Sequence, residues 1–190
     1  MASKLTNTQV DRATIALAVR RVLAAIGEDP EREGLVGTPH RVAKFWSEFI
    51  DYKDDNLDTS FTSVRADQMV VIRNIRGWSL CEHHLLPFSF TAAVGYIAEE
   101  KILGASKLVR VVQLYAHQLQ IQERLVEQIA THVQHLAGAD DVAVCMVGQH
   151  TCMQMRGVLS EDSEMITQAL RGRFLSKPEV RQEFMQLLTL

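Results

Sequence analysis

Val142-Ala-Val-Cys-Met-Val-Gly-Gln-His-Thr-Cys-Met-Gln-Met-Arg-Gly-Val158 is the stretch on which the reading of the fold turns. Val142–Gln149 and Thr151–Val158 read as a strand pair or one long bent hairpin. Side chains alternate along a strand, so His150, Cys152, Gln154 and Arg156 would share one face, with Met153 and Met155 pointing into the core. An imidazole, a thiol and a guanidinium would then stand in a row. The competing reading is a polar stripe facing solvent.

Upstream, Met69–Ile75 and Phe88–Ile97 read as strands, with Trp78–His84 as a turn region between them. Ser106 caps a helix through about His117. A further helix spans about Gln122–Ala137, with Leu125, Ile129, Val133 and Leu136 as its buried stripe and Gly138 as its end. Helices are also expected at about 163–171 and 178–188. Toward the N-terminus, Ile15, Val19, Val22, Leu23 and Ile26 recur at helical spacing within Thr8–Ile26. Gly27, Pro30, Gly34 and Gly37 mark a loop. Thr38 as N-cap and Pro39 at the first helical position open a second helix, whose stripe is Val42, Phe45, Trp46 and Phe49. Asp51–Asp58 is a charged loop. The order predicts an α+β fold built on an antiparallel sheet, residues 53–190, with an N-terminal helical extension over 1–52.

The 190 residues suit that division into one core domain and an extension. A net charge of -3 gives no global pull toward nucleic acid or anionic membrane, so any anion site must be a local cluster. No apolar run approaches the ~18–20 residues that span a bilayer, and Met1–Val10 is too polar for a signal peptide. An intracellular, cytoplasmic location is the expectation. In a reducing compartment Cys81, Cys145 and Cys152 read as metal ligands or buried thiols rather than as a disulfide framework. Cys145 has no histidine near it in sequence and reads as core.

Cys81 and His84, separated by two residues, can reach one ion from a single turn, and Cys152 can add a third ligand from a distant strand. Two thiolates and one imidazole suit zinc, and three protein ligands leave a position for water, the pattern of a catalytic site. Zinc brings the pKa of such a water down toward ~7. The alternative is that the cysteines are small buried hydrophobes and the histidines surface residues. Gly104-Ala-Ser-Lys107 opens an apolar helix with Arg110 one turn in, which offers free N–H groups and two cations to an anion. Solvated basic residues are the plain alternative there. Arg41 and Lys44 form a second basic pair at helical spacing. Glu123 can accept two hydrogen bonds from the N1–H and exocyclic amine of a guanine, although a glutamate at a helix start is also favoured by the helix dipole.

Taken together, Gly27-Glu-Asp-Pro-Glu-Arg-Glu-Gly-Leu35, Thr38-Pro-His-Arg-Val-Ala-Lys44, Cys81-Glu-His-His-Leu-Leu-Pro87, Gly104-Ala-Ser-Lys-Leu-Val-Arg110, Gln120-Ile-Gln-Glu-Arg-Leu125 and His150-Thr-Cys-Met-Gln-Met-Arg-Gly157 resemble GTP cyclohydrolase I, in the order of that family. The likeness covers about residues 12–188. It implies a tunnelling fold, an antiparallel sheet backed by two helices. It also implies assembly as pentamers stacked into a homodecamer with active sites between subunits. Zinc would be held by Cys81, His84 and Cys152. Water activated by the metal would attack C8 of GTP, with His150 protonating the ring nitrogen and His83 assisting near the ribose. Formate would leave and the rest close to 7,8-dihydroneopterin triphosphate, for folate, other pterin or deazapurine synthesis. Ser106 would touch the ribose; Lys107, Arg110, Arg156, Arg41 and Lys44 would hold the triphosphate; Gln122 and Glu123 would read the guanine edge. The chain departs from the family pattern at Phe90-Thr91, Ala98, Gln118, Val147 and Met165. The alternative function is a divergent zinc-binding tunnelling-fold protein with an altered product, or with a binding or regulatory role.

Overall fold

The computed structural model describes residues 9–54, 57, 60–62, 67–99 and 101–189. The expected helix start at Thr8 and part of the Asp51–Asp58 loop lie outside these residues. The chain divides into two compact units, Met1–Lys53 and Asp54–Leu190.

In the first unit α1 (Arg12–Ala25) packs on α2 (Thr38–Ile50). Asp11 caps α1 by accepting from the Thr14 N–H at 3.0 Å. The N-cap of α2 is Gly37 rather than Thr38, because the helical turn begins one residue earlier and Pro39 follows in its first turn. The apolar stripes are only partly covered within this unit: Val22, Ile26 and Phe45 are exposed.

The second unit is built on a five-stranded sheet, ordered β5-β2-β3-β6-β7. Its strands are β2 (Gln68–Cys81), β3 (Pro87–Ala98), β5 (Leu119–Gln120), β6 (Val142–His150) and β7 (Met165–Leu170). All pairs are antiparallel except the short parallel pairing of β5 with β2. A separate ribbon pairs β1 (Ser60–Thr62) with β4 (Lys101–Leu103). Helices α3 (Ala105–Ala116) and α4 (Gln122–Ala137) cover one face of the sheet. Leu108, Val111 and Val112 of α3 meet Leu125, Ile129 and Val133 of α4 over Val94, Val144 and Met146. The expected stripe of α4 is therefore the core-facing one, and Gly138 ends it in the left-handed conformation at φ 60°. The opposite face takes Phe174 of α6 (Arg173–Ser176) and Phe184 of α7 (Pro178–Thr189) against Ala93, Ala143 and Cys145. Cys145 is thus a core thiol, as expected. The class is the expected α+β, an antiparallel sheet backed by two helices.

Three elements differ from expectation. Trp78–Cys81 is not a turn but the end of β2, because it pairs with the start of β3. Residues 165–170 form a strand rather than a helix, since they lie along β6 with Thr167 and Ala169 turned inward. Thr151–Gln154 is a single helical turn, α5, rather than a strand. His150, Cys152, Gln154 and Arg156 therefore do not share a strand face, and Met153 and Met155 are exposed rather than core.

Candidate metal and catalytic site

Strand register assembles the site. Leu80 pairs with Pro87, so β2 and β3 form a hairpin, with Cys81 the last residue of β2 and His83 and His84 in the turn that follows. Phe88 pairs with His150, so the end of β6 lies beside that turn, and α5, which follows at once, brings Cys152 to it. The ligand atoms of Cys81, His84 and Cys152 all lie within 4.8 Å of one another. His84 Nδ1 and His83 Nδ1 are each 3.8 Å from Cys81 Sγ. Both cysteines are buried, and both histidines are exposed at the mouth. Leu85 takes φ 57° in the turn, a left-handed conformation that costs a leucine about 1–2 kcal/mol. Two backbone hydrogen bonds, Leu85 N–H to Cys81 O and Cys81 N–H to Leu86 O, both 2.8 Å, hold it there.

The donor set fits a soft or borderline divalent cation. Burial pushes the Cys152 thiol up from its ordinary pKa, and the neighbouring Cys81 pushes it further. Two thiols at this spacing resist joint ionisation until a cation compensates them.

A salt bridge and hydrogen bonds tie the hairpin turn to α4. Arg124 pairs with Glu82, donates to Gln120 Oε1 at 3.1 Å and to Leu119 O at 3.1 Å. The Arg124 hydrogen bond holds the Glu82 carboxyl below its usual range. His150 is 9% exposed, its ring stacked on Phe88 at 4.4 Å and its Nε2 at hydrogen-bond distance, 3.0 Å, from Gln122 Oε1. Burial pulls the His150 pKa below the usual histidine value, and the charge of exposed Glu123 opposes this. Arg156 Nη1 lies 3.3 Å from His84 Nε2 and 3.3 Å from Cys152 O.

The other expected site residues have their own surroundings. Ser106 is exposed in the first turn of α3, whose N-cap is Gly104 rather than Ser106. Lys107 is buried, and Arg110 pairs with Asp54 at 2.7 Å. Arg41 and Lys44 belong to the first unit, where Arg41 donates to Thr38 Oγ1 at 2.9 Å and Lys44 pairs with Glu48 at 3.4 Å. Gln122 is 1% exposed, and its amide Nε2 donates to Met146 O and Met165 O. Sequence reasoning missed Phe88, Gly148 and the Glu82–Arg124 link. Only Gly148 carried a signal, as an isolated glycine within an apolar strand. Three departures, Phe90, Thr91 and Val147, line a separate cavity of about 370 Å³ with Arg76, Trp78 and Glu164.

Comparison with known proteins then decides the family. Residues 15–189 match the profile of GTP cyclohydrolase I. The chain belongs to the GTP cyclohydrolase I family. It is 47% identical over 180 residues to GTP cyclohydrolase 1 of Sulfurihydrogenibium sp. (strain YO3AOP1), covering 94% of this chain and 96% of that one. Against the proteins of the same name from Alkalilimnicola ehrlichii and Aquifex aeolicus the identities are 46% and 43%, covering 92% and 94% of this chain and 96% and 97% of theirs. Among solved structures, an archaeosine synthase QueF-Like in the apo form aligns with a TM-score of 0.48 at 19% identity, over 57% of this chain and 97% of that one. GTP cyclohydrolase I is an enzyme family, and the Cys81–His84–Cys152 group of this member can hold a metal ion. No helix among the described residues is long and apolar enough to cross a membrane.

Proposed function

We propose that this protein opens the imidazole ring of GTP, releases formate and closes the product to 7,8-dihydroneopterin triphosphate, with zinc held by Cys81, His84 and Cys152. The observation that carries the proposal is the convergence of two buried thiols and an imidazole within 4.8 Å, beside buried His150, in a member of this family. When bound, zinc supplies Lewis acidity, which brings the pKa of a water toward ~7.

The chain's own residues do the rest. His150, one strand end from Cys152, holds a proton for the purine ring nitrogen as the C8–N bond opens. His83, exposed at the mouth, serves the ribose side during rearrangement. Glu123, exposed at the start of α4, accepts from the N1–H and amine of guanine. Ser106 meets the ribose, and Lys107, Arg110 and Arg156, with Arg41 and Lys44, hold the triphosphate. Residues 53–190 form the catalytic domain and 1–52 a helical extension. The chain works as a cytoplasmic homodecamer with sites between subunits, which is supported by the sheet edges at β5 and β7.

The test is to incubate the purified protein with zinc and GTP and to follow formate and the fluorescence of the oxidised pterin. Both signals are expected. Formate alone would assign a ring-opened diaminopyrimidine that has lost its formyl carbon and has not reclosed, and neither signal would remove the proposed reaction.

A further inference from the structure

Gln122 is among the most deeply buried side chains, and its primary amide sits where three elements meet. Nε2 donates to Met165 O at 2.8 Å, to Thr167 Oγ1 at 3.0 Å and to Met146 O at 3.2 Å, sharing its two hydrogens. Two of these partners are backbone carbonyls, which only accept. The amide cannot be turned over without setting its oxygen against them, so Oε1 is fixed toward His150. An acceptor at 3.0 Å from His150 Nε2 requires that Nε2 carry the proton. Phe88 holds the ring by a stack at 4.4 Å and 12°. The backbone is fitted to the same contact: a Cβ on Gly148 would overlap Gln122 Oε1.

We infer that Gln122 is a positioning residue that commits His150 Nε2 to the protein interior and leaves Nδ1 as the nitrogen that exchanges protons with the substrate. This rests on the reading of His150 as a proton-transfer group, but the tautomer itself can be checked apart from activity. It also separates Gln122 from its neighbour Glu123: consecutive residues of α4, one facing the protein and the other the substrate.

Neutron diffraction from zinc-loaded, substrate-free crystals grown in heavy water reads the protons directly and needs no variant. Deuterium is expected on His150 Nε2, directed at Gln122 Oε1; a His150 whose Nε2 carries none overturns the inference whatever the activity. Kinetics of Gln122→Met and Gly148→Ala supply the second reading. Each should lower kcat about 10- to 100-fold, the size of effect known for partners that orient metal-bound histidines, with KM for GTP within about twofold of wild type and one zinc per chain retained. A raised KM at unchanged kcat would make Gln122 a substrate reader and overturn the proposal. An active His150→Ala variant would overturn the role of His150 while leaving the neutron result standing.

Discussion

Truncation of Cys152 to alanine separates the fold from the metal site. Cys152 is 9% exposed and lies in a one-turn helix held by the Thr151 hydroxyl, which donates to Pro87 O at 2.6 Å. Removing one buried sulfur costs about 1 kcal/mol of packing. Without metal no electrostatic change adds to that loss, because burial and Cys81 keep the Cys152 thiol protonated near neutral pH. The metal-loaded protein behaves differently. A four-ligand zinc site is worth about 10–16 kcal/mol, so one ligand contributes about 3 kcal/mol, or about two orders of magnitude in affinity. A hundredfold weaker site loses about 2.7 kcal/mol of metal-linked stability at fixed zinc. The assay is elemental analysis after dialysis against a chelator of moderate affinity, with melting curves recorded with and without zinc. Wild type should keep one zinc per chain and melt higher with it, and Cys152→Ala should lose the metal and melt alike in both. A variant that keeps stoichiometric zinc would refute Cys152 as a ligand.

His150→Ala should retain zinc and lose about 10²- to 10⁴-fold in turnover, measured by pterin fluorescence beside elemental analysis. Arg156→Ala should raise KM for GTP more strongly at low ionic strength than at high, as screening requires; a KM that does not move removes Arg156 from the triphosphate site. Phe184→Ala should destabilise by about 3–5 kcal/mol in a denaturant titration without altering zinc content, because Phe184 packs on Phe174 and Gly95 in the second core cluster, apart from the metal ligands.

The core was legible where periodicity is long. Sixteen residues of α4 repeat their apolar stripe and stop at a glycine, and the apolar run of β3 reads as a strand in any context. Short elements escaped. Thr151–Gln154 spans one turn, too little for a 3.6-residue period to show, so it reads as a continuation of β6. The true i, i+4 relation of Cys152 to Arg156 was hidden behind an assumed alternation. In β7 the inward residues are Thr167 and Ala169, too small or polar to mark a buried face, while exposed Ile166 mimics one. The parallel contact of β5 with β2 involves two residue pairs and leaves no local pattern. Within the site, the Cys81–His84–Cys152 group was legible because Cys-x-x-His and His-x-Cys are spacings with chemical meaning. The supports were not: Phe88 and Gln122 act through partners 62 and 28 residues away, a relation that only strand register and helix packing create.

The most direct test of the central claim, a metal-dependent GTP-opening enzyme built on Cys81, His84 and Cys152, is a titration of metal-free protein with zinc in the presence of GTP. Formate release should start from background and rise to a plateau at one zinc per chain. Full turnover in rigorously metal-free protein, or a plateau unrelated to chain concentration, would contradict it.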